Sequence, residues 1–300
     1  LETTASSLSL KKIFFDFKQI TKAGLAISVV FSSIAGYVLG FDDSKPFSWT
    51  TLFMLSVGGY CMVGASNAFN QVIEKKSDAL MDRTKNRPVA SGRMSPNVAL
   101  FIASLLTIIG LVLLYSINPK SALFGAISIF LYTSVYTPLK AITPLSVFVG
   151  AFPGAIPFML GWVAATNHFG IEAGTLFLIQ FFWQFPHFWA IGWFLYEDYE
   201  KAGFFMLPTG KRDKATATQI LLYTIWLIIA SLLPVLGRTG QLKISIVAAI
   251  FVFAIGIWMF IYAAKLYKQQ TAKAARTLML VSVSYITLLQ IIYIIDKFLR

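Results

Sequence analysis

Long apolar stretches alternate with short polar segments along the whole chain. Nine stretches are long enough to cross a bilayer as helices: 24–41, 50–72, 97–117, 121–138, 144–165, 173–195, 217–236, 242–264 and 277–296. Each lies close to the ~20 residues that span about 30 Å of hydrocarbon at ~1.5 Å per residue. Turn-forming residues fall between them: Asn118-Pro119, Pro138, Pro144, Asn167 to Gly170, Pro208 and Gly237 to Gly240. Only Leu139 to Thr143 separate the fourth and fifth stretches, so those two helices are expected to be adjacent and antiparallel. The pattern predicts an all-α polytopic membrane protein of nine transmembrane helices. No composition shift divides it, so 1–300 is expected to form one domain, with 1–22 as an N-terminal segment ahead of the first span.

Composition supports this reading. Of 300 residues, 57% are hydrophobic and 13% are charged, against about 25% charged in soluble domains. A soluble enzyme, a disulfide-rich secreted domain and a disordered chain are excluded. The net charge of +12 would suggest nucleic acid if it were clustered, but the basic residues occupy loops, and no nucleic-acid partner is expected. The N-terminal segment and the 2–3, 4–5, 6–7 and 8–9 loops hold 19 of the 25 Lys and Arg. By the positive-inside rule these segments face the cytoplasm, with the N-terminus inside and the C-terminus outside. No cleavable signal peptide is expected, because 1–22 is polar and mixed. Cys61 is the lone cysteine and is expected to be a small core residue.

Two segments carry chemistry. The first, 67–96, reads NAFNQVIEKKSDALMDRTKNRPVASGRMSP. Asn70, Glu74 and Asp78 follow one another at i, i+4 and i+8, which places an amide and two carboxylates on one helical face. Asp82 extends the row by a further step. Hard oxygen donors of this kind suit Mg²⁺, which takes one or two carboxylates plus phosphate and water. Arg83, Lys85, Arg87 and Arg93 follow, and arginine recognises phosphate through paired hydrogen bonds. Pro88 and Gly92 are expected to break the helix and turn these cations back over the carboxylates. An ordinary basic loop would not explain acids stacked at the end of an apolar span, where ionisable groups are costly.

The second segment, 181–208, reads FFWQFPHFWAIGWFLYEDYEKAGFFMLP. Gln184, His187, Tyr196, Glu197, Asp198 and Lys201 line the inner part of the sixth span. Pro186 is expected to kink it or release a backbone carbonyl. A histidine in such surroundings serves as a hydrogen-bonded core residue, a haem-iron ligand or a proton-transfer group. Glu197 and Asp198 supply a second candidate metal site or a solvated helix end, and Asp198 joins Asn70, Glu74 and Asp78 in the candidate metal set. Tyr136 and Lys140, in the turn 136–140, add a phenol and a cation suited to a diphosphate.

These residues resemble the intramembrane prenyltransferases of the UbiA type. The matching motifs are Asn70, Glu74, Asp78, Met81, Arg83, Thr84, Arg87, Pro88 and Gly92 in the first segment, and Trp183, Gln184, Pro186, His187, Phe188, Asp198, Tyr199, Ala202, Gly203, Met206, Leu207 and Pro208 in the second. Within that superfamily the second set, with Tyr136 to Lys140 and Gly150 to Pro157, is similar to the branch that farnesylates haem b. This chain has Glu74 where aspartate is usual, Lys76-Ser77 in place of an acidic–apolar pair, Ala141 where a second basic residue is common, and Ala23-Gly24 in place of Pro-Arg.

The resemblance implies a UbiA-type bundle in the bacterial inner membrane. It implies transfer of farnesyl from farnesyl diphosphate to a vinyl group of haem b, giving haem O for terminal oxidase biogenesis. It further implies Mg²⁺ as cofactor, haem b as substrate and a haem A synthase as downstream partner. The catalytic set it implies is Asn70, Glu74, Asp78, Arg83, Arg87, Lys140 and His187. Arg83, Lys85, Arg87, Lys140 and Tyr136 would bind diphosphate, and His187, Trp183 and Gln184 would contact haem, with His168 in the outer turn as the weaker alternative. The rival expectations are the same fold acting on a quinone-precursor aromatic acceptor, and a transporter, which would carry its polar groups near the membrane midplane.

Overall fold

The computed structural model describes residues 10–42, 44 and 46–300. Residues 1–9 of the N-terminal segment, Asp43 and Lys45 lie outside the described residues. The described chain is helical throughout, with no strand: α1 (Leu10–Ile20), α2 (Ala23–Gly40), α3 (Trp49–Ile73), α4 (Lys75–Leu80), α5 (Pro96–Ile117), α6 (Pro119–Phe130), α7 (Thr137–Leu139), α8 (Ser146–Thr166), α9 (Ile171–Phe194), α10 (Tyr196–Lys201), α11 (Lys214–Leu232), α12 (Ile246–Gln269) and α13 (Ala272–Leu299). A π-helical turn, Leu131–Tyr136, joins α6 to α7, so Pro119–Leu139 forms one span.

Polar residues at the span boundaries cap these helices. Ser95 accepts from the backbone N–H of Val98, Asn118 from Ser121, Asp213 from Thr216 and Ser245 from Ala248, each at 2.7–3.3 Å. Pro96 and Pro119 follow their caps at the first helical turn, where the missing N–H has no intrahelical partner to lose.

The long helices close into a ring in which α2, α3, α5, α6, α8, α9, α11, α12 and α13 each touch the next, and α13 returns to α2. Two further contacts, α2 with α8 and α9 with α13, draw the ring inward. The α2–α8 crossing depends on glycine. A Cβ at Gly36 would strike the Phe158 carbonyl, and one at Gly161 the Ser33 carbonyl. Small residues allow backbones this close in a bilayer, where apolar burial gives no preference for helix over lipid. Phe101, Ile108, Trp226 and Ile246 are among the large apolar side chains left exposed on the outside of the ring, as a lipid-facing surface requires. Cys61 is buried, as expected.

Among the described residues, eight helices are long and apolar enough to cross a membrane. The sixth expected span, α9, is also 24 residues long, but Gln180, Gln184, Pro186 and His187 lower its apolar character. It compensates by packing against α8, α11 and α13, and Gln180, Gln184, Phe185 and Trp189 are buried. The short connection 140–145 brings α6 against α8, the adjacency expected from the tight turn.

The acidic row departs from one continuous helix. α3 ends at Ile73, and Glu74 sits at φ −89°, ψ 11° between α3 and α4. The i→i−4 ladder survives this joint, since Glu74 N–H donates to the Asn70 carbonyl at 2.9 Å and Asp78 N–H to that of Glu74 at 2.7 Å. It stops at Met81, whose backbone is extended (ψ 132°). Asp82 therefore leaves the row, and the helix is broken well before Pro88 and Gly92.

Candidate active site

A cavity of about 430 Å³ lies inside the ring, and Asn70, Glu74, Asp78, Arg83, Arg87, Tyr136, Lys140, Trp183, Gln184 and His187 all line it. It has a charged end, built by α3, α4 and the turn after α7, and an aromatic end, built by α9 and α13. Its wall reaches Leu25 on α2 and Val283 on α13, both exposed on the outside of the bundle.

At the charged end, Asn70, Glu74 and Asp78 are 1%, 6% and 0% exposed. Asn70 Nδ2 donates to Thr137 Oγ1 at 3.3 Å. The π turn delivers Thr137 to that position, its hydroxyl donating to the Tyr132 carbonyl at 2.8 Å; such turns often mark functional sites. Lys140 Nζ donates to Glu74 Oε1 at 2.7 Å and lies 4.5 Å from the centre of the Tyr136 ring. Burial disfavours the Lys140 ammonium, but the charge and hydrogen bond of Glu74 outweigh it and hold its pKa above the usual value. Arg87 Nη1 is 2.8 Å from both oxygens of Asp78. Burial still pushes the Asp78 carboxyl above its usual range, against the pull of Arg87.

Arg83 lines the cavity and lies 5.9 Å from the ring centre of Tyr199. Its backbone is held from across the fold: Asp198 accepts from the N–H groups of Asp82 at 3.2 Å and Arg83 at 3.1 Å. Asp198 and Lys85 do not line the cavity. Lys85 instead pairs with Asp82 at 2.7 Å, as does Lys201 at 2.6 Å. Glu197 turns away to Arg212, 2.7 Å from its Nη2. His168 is exposed in the turn after α8, apart from the cavity lining.

At the aromatic end, the rings of Trp183 and His187 stack with centres 4.5 Å apart and planes at 18°. His187 Nδ1 lies 2.8 Å from Ser282 Oγ, and Trp183 Nε1 donates to the Ser282 carbonyl at 2.6 Å.

Several cavity residues were not singled out from the sequence. Lys22, in the left-handed region at φ 48°, joins the charged end between α1 and α2. Burial and then the charges of Arg87 and Lys140 push its pKa well below the usual lysine value. Its only sequence signal, a lysine directly ahead of an apolar span, is that of any positive-inside residue. Asn67 Oδ1 and Gln180 Oε1 are buried without a hydrogen-bond partner among the described residues, and both residues line the cavity. They are acceptors open to a bound molecule or water.

Among the described residues no three His, Cys, Asp or Glu side chains cluster to hold a metal. The carboxylates of Glu74 and Asp78 and the amide of Asn70 are hard oxygen donors, which fit an ion that completes its shell with water and phosphate, as Mg²⁺ does.

The model of the UbiA prenyltransferase family matches residues 29–285. The chain belongs to the UbiA prenyltransferase family. It is 75% identical over 300 residues to a protoheme IX farnesyltransferase of Flavobacterium johnsoniae, covering 100% of both chains. It is 66% identical over 288 residues to one of Christiangramia forsetii, covering 96% and 95%. The fold is shared with a solved structure of digeranylgeranylglyceryl phosphate synthase (TM-score 0.76, 18% identity, 94% and 98% covered). It is also shared with a UbiA homologue from Archaeoglobus fulgidus bound to GPP and Mg²⁺ (TM-score 0.67, 13% identity, 93% and 99% covered). This UbiA prenyltransferase is thus an integral membrane enzyme.

Proposed function

We propose that this chain transfers the farnesyl group of farnesyl diphosphate to a vinyl group of haem b, giving haem O. The observation that carries this reading is the single cavity whose charged end suits a diphosphate and whose aromatic end holds His187. The names of the 75%- and 66%-identical relatives supply the acceptor.

The diphosphate rests among Arg83, Arg87, Lys140 and Lys22, with Tyr136 beside Lys140. Asn70, Glu74 and Asp78 would hold Mg²⁺, which neutralises the leaving diphosphate when bound. As the allylic C–O bond breaks, the cations stabilise negative charge already directed to the diphosphate oxygens. Asp198 positions Arg83 by accepting from the backbone N–H groups of Asp82 and Arg83. Aromatic rings along the cavity face the allylic cation and exclude water from it. The vinyl carbon forms the new C–C bond. Water then adds at the adjacent carbon and loses a proton to solvent, which yields the hydroxyethylfarnesyl side chain. His187, with Trp183 and Gln184, contacts the haem.

Residues 1–300 act as one catalytic unit in a bacterial inner membrane, with the N-terminus cytoplasmic, the C-terminus outside, and a haem A synthase as consumer of the product. The acceptor is tested by supplying purified protein with farnesyl diphosphate and either haem b or a quinone-precursor aromatic acid. Farnesylated haem detected by mass supports the reading; a prenylated aromatic acid in its place overturns it.

A further inference from the structure

Ser282 on α13 makes polar contacts with two residues of α9, Trp183 and His187, and the diphosphate chemistry does not use it. The Ser282 carbonyl accepts from Trp183 Nε1 at 2.6 Å. Its hydroxyl lies 2.8 Å from His187 Nδ1 and 2.7 Å from the Met279 carbonyl. A hydroxyl has one hydrogen to give and lone pairs to receive. The Met279 carbonyl can only accept, so the Ser282 hydrogen goes to it. The contact with His187 then requires the ring to be the donor, with its proton on Nδ1.

The ring is also held in orientation. Trp183 stacks on it, and Phe188 meets its edge, with ring centres 5.3 Å apart. A flip would set a carbon-bound hydrogen against the Ser282 hydroxyl and lose the hydrogen bond. In these apolar surroundings the ring is neutral, because an unpaired buried charge is costly. Nε2 then carries a lone pair and no proton. The contact with Ser282 uses Nδ1, and the ring lines the cavity.

We infer that Ser282 is a positioning residue: it fixes His187 as the Nδ1–H tautomer and presents the Nε2 lone pair to the cavity as a ligand for haem iron. The iron assignment rests on the haem reading above, whereas the tautomer does not. A metal-binding histidine generally has its other ring N–H fixed by a neighbouring acceptor, which sets the tautomer and raises ligand strength. Nothing in the motif around His187 reveals this partner, because Ser282 stands 95 residues away in the last span.

The chain has two histidines, His168 and His187, so the His168→Gln variant labelled with ¹⁵N-histidine gives one ring to follow by NMR in micelles. The ring is expected to be protonated at Nδ1 and bare at Nε2 before any haem is added. Ser282→Ala is expected to lose this preference and Ser282→Thr to keep it. In a haem titration followed at the Soret band, Ser282→Ala is expected to weaken binding by about 10–100-fold, with Ser282→Thr close to wild type and the KM for farnesyl diphosphate unchanged. An Nε2–H ring in the otherwise wild-type protein overturns the inference, without depending on how any Ser282 variant folds. So does an unchanged tautomer in Ser282→Ala. If the tautomer is as inferred but His187→Ala binds haem normally, the iron assignment falls and the tautomer stands.

Discussion

At the charged end of the cavity Glu74 and Asp78 meet Lys140 and Arg87 at 2.7 and 2.8 Å. At the aromatic end His187 and Trp183 meet a hydroxyl and a backbone carbonyl of Ser282. The first set sits where helices end and loops enter, so cations distant in sequence can reach it. The second sits within α9, where the bilayer leaves only neighbouring helices as partners, and neutral hydrogen bonds satisfy it at lower desolvation cost than ion pairs. The ends therefore differ in what they can exchange. Charges held by other protein charges can be handed to a metal and a diphosphate, whereas a neutral ring held by one hydroxyl offers a single lone pair.

Asp78→Asn is the strongest way to break this contrast. It removes a fully buried carboxylate from the metal set and frees Arg87. Turnover is expected to fall by about 10²–10³-fold, the loss typical of removing one electrostatic group from a reaction site, as read by product mass with farnesyl diphosphate saturating. A lowered Tm with normal turnover would make the charged end structural only. His187→Ala comes next. Haem binding at the Soret band is expected to weaken at least about tenfold, with the KM for farnesyl diphosphate unchanged. A matching rise in that KM would show that the two ends do not act separately.

Asp198→Asn sharpens the same boundary. It weakens the two N–H contacts that place Arg83, each a charge-assisted bond of about 1.5–3 kcal/mol before solvent screening. The KM for farnesyl diphosphate is expected to rise several-fold while haem binding holds. The smallest effect belongs to Asp82, which is exposed. Hydrogen bonds from Lys201 and Lys85 hold its carboxyl at about 2, against an ordinary 3.8. Because the folded-state pKa is depressed, the contact is complete above about pH 4 and is lost as pH falls towards 2. Asp82→Asn should leave Tm and turnover near wild type from pH 5 to 8, as exposed ion pairs generally do. A marked change in turnover would place Asp82 in the diphosphate site.

The helical bundle was legible because apolar runs of span length admit few other structures, and the least apolar of them, α9, still forms a 24-residue helix. Asn70, Glu74 and Asp78 were legible because i+4 spacing survives the joint at Glu74. Asp82 was misplaced because nothing local marks Met81 as extended. Thr137 and Ser282 escaped notice for another reason. Hydroxyl residues in apolar helices commonly bond their own preceding turn, as Thr224 does to Ile220 and Ser66 to Met62. Sequence alone does not distinguish those from hydroxyls that also orient a neighbour. Lys22, Asn67 and Gln180 reach the cavity through the packing of the ring, which brings α2, α3 and α9 together.

The central claim is that one cavity activates a diphosphate at its charged end and delivers the prenyl group to haem at the other. The direct test is mass detection of the product formed by purified wild-type protein from haem b and farnesyl diphosphate, with Mg²⁺ present and with it removed by chelation. The account predicts a hydroxyethylfarnesyl haem that appears with Mg²⁺ and is lost on chelation. Farnesylated haem formed equally well without the metal, or none under either condition, would contradict it.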